Sequence, residues 1–230
     1  CENKQNYFKF NLATNEKNTI NIEKEIDDWN SKIIDDKIYT ISSEKETDGQ
    51  NYYYINVFDT NGEKVKSIKT ININNNIFDY CIDKNSNVYI LYSIVSVNKM
   101  AILKINSTGE TERSVIVDEK LSEDIKSEYY GCITVDEEGE VYITGYSYEL
   151  NNKSIKDTKI YFFDTDLGYI NYVKNTTLEN CNKIFTLGNK IYTSYKSNNM
   201  GSPILVDVID TSKKEIINRY ELIDVDKILK

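Results

Sequence analysis

Four acidic residues recur along the chain at a nearly constant interval, and three of them precede an aromatic residue. The acids are Asp28, Asp79, Glu128 and Glu179, and the aromatic neighbours are Trp29, Tyr80 and Tyr129. A ring of carboxylates in a partly dry funnel attracts cations, and Trp or Tyr beside it can stack on a sugar or hold an ammonium group. The pattern predicts a site for a protein, glycan or cationic ligand. The same acids would also suit solvated strand ends in an acid-rich chain.

Paired carboxylates at such a site could also hydrolyse a glycosidic bond, one as acid and the other as base or nucleophile about 5 to 9.5 Å away. No feature of the sequence selects a pair. The chain contains no histidine, which removes Ser-His-Asp and Cys-His catalysis and most zinc sites. We therefore expect no enzymatic activity, no catalytic residues and no cofactor. A carboxylate-dependent glycoside hydrolase or lyase is the alternative.

A metal site is not expected either. Asp83, Asn85 and Asn87 match the first three ligand positions of a calcium-binding loop. Val88 stands where that loop needs glycine, and no suitable bidentate glutamate follows. A plain hairpin turn is the preferred interpretation.

The elements that must position these residues repeat at the same interval. Four short β-runs carry a central tyrosine, and these tyrosines are Tyr39, Tyr89, Tyr142 and Tyr192, spaced 50, 53 and 50 residues apart. Each run follows a turn rich in Asp, Asn or Gly, which suit tight hairpins, and three further β-runs complete each unit. Four-stranded units repeated at about fifty residues describe the blades of a β-propeller. A pair of β-sandwiches or an open β-solenoid is the runner-up architecture.

Two of the turns carry a recognisable sequence pattern. Residues 136–145 read DEEGEVYITG, and residues 83–90 read DKNSNVYI. Both resemble the D-x-x-G-x-V-Y-V pattern of NHL-like and SBBP-type bacterial β-propeller repeats, although Ser86 and Asn87 depart from the usual glycine. The resemblance covers residues 27–220 and implies a fold rather than an activity.

The repeat also predicts the domain organisation. Residues 1–6 form a tether, and residues 7–230 form a single all-β propeller domain. The full blades are expected at residues 24–70, 76–117, 127–175 and 178–220. Residues 7–23 and 222–229 are expected to close the ring as a composite fifth blade, which hides the sheet edges. An incomplete ring, as in a fragment of a larger propeller, is the alternative.

The first residue and the charge suggest a location. The chain starts at Cys1, followed by a polar stretch, which resembles a mature bacterial lipoprotein acylated at that cysteine. With 28 Lys and Arg against 37 Asp and Glu, the net charge is −9, which argues against nucleic acid as a partner. We expect a monomeric, extracytoplasmic module, lipid-anchored to the bacterial cell membrane, that binds or scaffolds a protein or glycan at the cell surface.

The remaining cysteines suggest no chemistry on sequence grounds. Cys81, Cys132 and Cys181 are odd in number and show no C-x-x-C spacing, so neither a fully paired disulfide framework nor a zinc or redox motif is supported. We expect them to be small buried hydrophobic residues.

Overall fold

The computed structural model describes ten stretches of the chain, which fall into two compact units, residues 1–75 and 76–230. The described stretches are 4–11, 16–23, 27–34, 36–72, 74–96, 99–117, 128–148, 155–175, 181–196 and 204–222. Their regular structure is β-strand throughout. Within these stretches there is no helix with the length and apolar character that a membrane span requires.

The first unit contains a β-hairpin and one four-stranded antiparallel sheet. Its strands are β1 (Lys4–Asn11), β2 (Glu16–Glu23), β3 (Asp27–Ile34), β4 (Lys37–Lys45), β5 (Asn51–Phe58) and β6 (Lys64–Asn72). The hairpin pairs β1 with β2. Strands β3 to β6 follow one another as a meander, which is the first blade.

The second unit contains three four-stranded antiparallel meanders. The second blade consists of β7 (Asn76–Ile82), β8 (Val88–Ile94), β9 (Lys99–Ile105) and β10 (Thr111–Ile116). The third consists of β11 (Glu128–Val135), β12 (Val141–Tyr148), β13 (Ile155–Phe163) and β14 (Tyr169–Asn175). The fourth consists of β15 (Cys181–Leu187), β16 (Lys190–Lys196), β17 (Ile204–Asp210) and β18 (Glu215–Leu222).

These four sheets of four strands confirm the predicted all-β propeller fold class. The composite fifth blade remains a prediction. Strands β1 and β2 form a hairpin over residues 4–23, which begins three residues before the expected 7–23, but residues 223–229 of the proposed closing strand lie outside the described residues.

Strand β12 shows why the motif strands are apolar on both faces. Val141 and Ile143 pack in a core cluster with residues of the second blade, whereas Tyr142 packs in a cluster with residues of the fourth. Successive side chains of a strand point to opposite faces, so a strand between two neighbouring blades buries every residue. Tyr142 also meets Phe162 edge to face, with ring centroids 5.1 Å apart.

The turn before β12 is built around one carboxylate. Asp136 Oδ1 accepts the backbone N–H groups of Glu138 and Glu140, at 3.1 and 2.9 Å. Gly139 has a φ of +92°, a conformation that costs glycine little and other residues more. Asp83 organises the turn before β8 in the same way, with Ser86 at a φ of +63° in place of the glycine. The residues that suggested a calcium loop therefore form a hairpin turn.

The innermost strands of the second unit lie next to one another. Strand β11 contacts β7 on one side and β15 on the other. Thr186 Oγ1 on β15 donates a 2.8 Å hydrogen bond to the carbonyl oxygen of Val135 on β11. Polar contacts thus join the blades as well as apolar packing.

Candidate functional site

The structure describes the side chains of two of the predicted site residues, and both lie on β7. Asp79 is partly buried, and the ring of Tyr80 is fully buried at 0% exposure, so this ring packs in the core and does not border an open surface. For the other predicted residues the structure describes the backbone alone or nothing. Asp28 and Trp29 lie on β3 and Glu128 and Tyr129 on β11, with side chains outside the described part, and Glu179 and Cys1 lie outside the described residues altogether.

Bulges in the inner strands place the predicted acids at different levels of their blades. The level of a residue is the position, counted from the motif tyrosine, of the residue opposite it on the neighbouring strand. Asp79 lies opposite Leu91, two residues beyond the motif tyrosine of β8. Glu128 lies opposite Ser147, five residues beyond the motif tyrosine of β12. The register of β11 shifts after Tyr130. A constant spacing in sequence therefore does not give a constant position in the sheet.

The first blade shows the same effect. Asp27 lies opposite Ile41, two residues beyond the motif tyrosine of β4, before a register shift in β3. Asp27 therefore occupies the same level in the first blade as Asp79 does in the second. It lies one residue before the predicted Asp28.

In the second unit, three chemically different residues share this level of the inner strands. Lys183 lies opposite Ser194, two residues beyond the motif tyrosine of β16. Cys132 N–H donates a 3.0 Å hydrogen bond to Oγ1 of Thr144, two residues beyond the motif tyrosine of β12. We refer to Asp79, Cys132 and Lys183 as the inner row. It contains an acid, a thiol and a cation instead of the expected set of acids.

Asp79 connects the second blade to the third. Its Oδ1 accepts the N–H of Tyr80 at 2.9 Å, and its Oδ2 accepts the N–H of Ile133 at 3.0 Å. A carboxylate bonded to a backbone N–H makes a charge-assisted hydrogen bond, which is stronger than a neutral one. Asp79 therefore has a structural role, while the ligand-binding role remains a prediction.

Cys132 makes the corresponding connection from the third blade to the fourth. Its Sγ donates to the carbonyl oxygen of Cys181 at 3.6 Å, and Cys181 Sγ donates to the carbonyl oxygen of Lys183 at 3.1 Å. A Cβ added to Gly131 would lie 3.5 Å from Thr144 Oγ1 and 3.6 Å from the Cys181 oxygen. The two cysteines are thus surrounded by close backbone and hydroxyl contacts.

The two thiols differ in acidity because they interact with each other. Their mutual hydrogen bond lowers the pKa of Cys132, against the opposing effect of burial. The Asp79 carboxylate also raises this pKa, and Thr144 and the Lys183 ammonium lower it. The same thiol–thiol contact, together with burial, raises the pKa of Cys181 well above its ordinary value. The pKa values of the two thiols are therefore shifted in opposite directions.

Cys81, Cys132 and Cys181 are buried, as expected from the sequence. All three are free thiols. Sequence reasoning missed the contact between Cys132 and Cys181. The available signal was the separation of 51 residues between Cys81 and Cys132 and of 49 between Cys132 and Cys181, each about one repeat length, which places all three on inner strands of neighbouring blades. Among the described residues no group of three His, Cys, Asp or Glu side chains is arranged to hold a metal ion.

Comparison with known proteins identifies a fold and no family. No family model and no curated protein matches the chain. Several solved structures match the chain. One is a variant of an ACO/RPE65 chimera, which has a TM-score of 0.54 and 9% identity over 97% of this chain. Others are a variant of the Synechocystis apocarotenoid oxygenase, at 0.53 and 9% over 94%, and the lignostilbene dioxygenase of Pseudomonas brassicacearum, at 0.50 and 10% over 93%. The chain spans 56–57% of the length of these structures.

This comparison corrects the expectation that the chain is not an enzyme. That expectation rested on the missing histidines and on the lack of a recognisable catalytic group, and it is wrong as an inference from the sequence, because solved structures that share the fold are oxygenases. At 9–10% identity the likeness shows the fold alone and assigns no reaction to this chain.

Proposed function

We propose that the chain is a β-propeller binding module that holds a protein segment at the inner row. The observation that supports this most is the mixed charge of the row. Asp79 and Lys183 shift the pKa of the same thiol, Cys132, in opposite directions, and their strands, β7 and β15, both contact its strand, β11. A peptide segment that carries both a basic and an acidic side chain complements such a pair, whereas a bare cation meets the opposing ammonium group.

Exposure supports contact at this level of the blades. Lys183 is exposed and Asp79 is partly exposed. Phe78, the neighbour of Asp79 on β7, is 39% exposed, and Phe185, two residues beyond Lys183 on β15, is 52% exposed. Aromatic side chains are enriched where proteins bind one another.

A cell-surface location with an acylated Cys1 is part of this proposal and is tested separately from the binding. Intact mass of the N-terminal peptide, isolated from membranes of the native host, tests the lipid anchor. A diacylated or triacylated Cys1 is expected, and an unmodified Cys1 would contradict the anchor without affecting the binding proposal.

Isothermal titration calorimetry with defined probes tests the binding proposal. The probes are a peptide of alternating Lys and Glu, an oligolysine peptide, a neutral N-acetylglucosamine oligosaccharide and calcium chloride. We expect the mixed-charge peptide to bind more tightly than oligolysine, despite the net charge of −9, because oligolysine meets the Lys183 ammonium without an acidic partner for it. Binding of the oligosaccharide or calcium alone, or no binding of the mixed peptide, would overturn the proposal.

A further inference from the structure

We propose that Cys132 and Cys181 form a redox-active dithiol that closes into a disulfide between the innermost strands of the third and fourth blades. This inference is independent of the ligand proposed for the inner row. It rests on the position of the two thiols, which lie on contacting strands.

The contacts of Cys132 place its sulfur beside the backbone of Cys181. Cys132 Sγ lies 3.6 Å from the backbone oxygen of Cys181, so the two side chains start from neighbouring positions on contacting inner strands. Cys81 of the second blade also lies about one repeat length from Cys132. It lies opposite the motif tyrosine Tyr89, however, and Asp79 occupies the level of Cys132 in that blade. The third thiol, Cys81, belongs to the core cluster between the second and third blades, while Cys132 belongs to the cluster between the third and fourth. The geometry thus selects one pair among the three described thiols.

The surroundings of the pair favour thiol–disulfide exchange. The attacking species is a thiolate, and the contacts of Cys132 with Cys181, Thr144 and Lys183 stabilise its ionised form. Cys181 keeps its proton until the second step. Cys132 and Cys181 are 9% and 8% exposed, so a small reagent reaches them more slowly than it would reach a surface thiol.

The oxidant in this proposal is a low-molecular-weight disulfide. The Cys132 thiolate attacks one sulfur of the reagent, the reagent's S–S bond breaks, and one thiolate leaves. Cys181 then loses its proton, its sulfur attacks Cys132 Sγ in the mixed disulfide, and the second reagent thiolate leaves. The protein is oxidised by two electrons, and the reagent is reduced to two thiols.

The sequence makes the test direct, because trypsin separates the three thiols. Cys81 falls in the peptide 70–84, Cys132 in 127–153 and Cys181 in 175–183. The folded chain carrying Cys1→Ser is treated with oxidised glutathione, quenched in acid, alkylated under denaturing conditions and mapped by mass spectrometry. We expect peptides 127–153 and 175–183 joined, with a mass about 2 Da below their sum, and Cys81 alkylated.

Matched variants separate this bridge from other oxidation. Cys81→Ser should retain the bridge, and Cys132→Ser should abolish it. Oxidation should also raise the midpoint of thermal unfolding by about 5 to 10 °C, because the bridge closes a long loop, and this shift should vanish in Cys132→Ser. A chain in which all three thiols remain alkylated, a glutathione adduct that persists on Cys132, or a bridge that involves Cys81 would overturn the proposal.

Discussion

The hydroxyl of Tyr142 donates a 2.6 Å hydrogen bond to Oδ2 of Asp136, six residues earlier in the chain. Tyr89 and Asp83 repeat this relationship in the second blade at 3.2 Å. The aspartate orders the hairpin turn with one oxygen and accepts the phenol with the other. This explains why the repeat pattern joins an aspartate to a tyrosine six positions later.

Removing the phenol should therefore destabilise the third blade. Tyr142 is fully buried and Asp136 is 7% exposed, so Tyr142→Phe leaves a buried carboxylate oxygen with one donor fewer. We expect a loss of about 1–2 kcal/mol in the free energy of unfolding, measured by urea denaturation at pH 7. Tyr172→Phe is the control, since Tyr172 is 43% exposed, and an equal loss in both variants would contradict the role of the hydrogen bond.

The same tyrosines predict how stability depends on alkaline pH. Burial, followed by the Asp136 carboxylate, raises the pKa of Tyr142 above its ordinary value of 10.0, and burial and Asp83 act likewise on the pKa of Tyr89. The unfolded chain loses these protons from pH 10.0 upward, while the folded chain keeps them. Their contribution to stability is therefore complete below that pH and is lost as pH rises toward the folded-state pKa.

Urea denaturation between pH 8 and the alkaline unfolding limit checks this, with pH spacing chosen around the ordinary tyrosine pKa of 10.0. The free energy of unfolding should fall more steeply with pH in the wild-type chain than in Tyr142→Phe. Parallel curves would show that Tyr142 titrates alike in both states.

The fourth blade contains an ion pair between a buried carboxylate and a partly exposed guanidinium group. Asp207 is 0% exposed, and Arg219 binds it through two nitrogens, Nε to Oδ1 at 2.5 Å and Nη2 to Oδ2 at 2.9 Å. Arg219→Met should cost about 3 kcal/mol, because it strands a buried carboxylate. Arg219→Lys, which keeps the charge, should cost less.

Lys213→Met is the control for this pair. Lys213 lies 4.0 Å from Glu215 on the surface of the same blade, and an exposed pair contributes about 0.5 kcal/mol or less. Chemical denaturation of the three variants measures the differences. A cost for Arg219→Met no larger than that of Lys213→Met would contradict the assignment of a bidentate pair at a buried carboxylate.

Asp79 should act on one backbone amide in particular. Asp79→Ala removes the acceptor of the Ile133 N–H, whereas Asp79→Asn keeps an oxygen in place. Hydrogen exchange followed by NMR should show faster exchange at Ile133 in the alanine variant than in the asparagine variant, with amides of β12 unchanged. Equal protection of Ile133 in both variants would show that the hydrogen bond is not formed in solution.

The turn chemistry and the tyrosine spacing were enough to predict the blades. Asp136 and Tyr142 carry local information, because the turn and its strand are adjacent in sequence. The level of an inner-strand residue is not local. It depends on how many residues a bulge absorbs between Tyr130 and Ile133, and the sequence does not mark a bulge there.

Contacts between blades were also beyond the sequence pattern. The hydrogen bond from Cys132 to the Cys181 backbone depends on which face of a strand meets its neighbour. An odd number of cysteines argued against a disulfide framework, but a count does not show which two thiols lie on contacting strands. The placement of Lys183 in the inner row was missed for the same reason.

The most direct test of the proposed binding site changes the inner row without changing net charge. Asp79→Asn with Lys183→Gln removes both charges of the row, and Lys213→Gln with Glu215→Gln removes an exposed pair from the same blade as Lys183. Calorimetric titration with the alternating Lys and Glu peptide should show affinity weakened about tenfold, or 1.4 kcal/mol, in the first double variant. The second should bind as the wild type does. Equal affinity in both variants would contradict binding at the inner row.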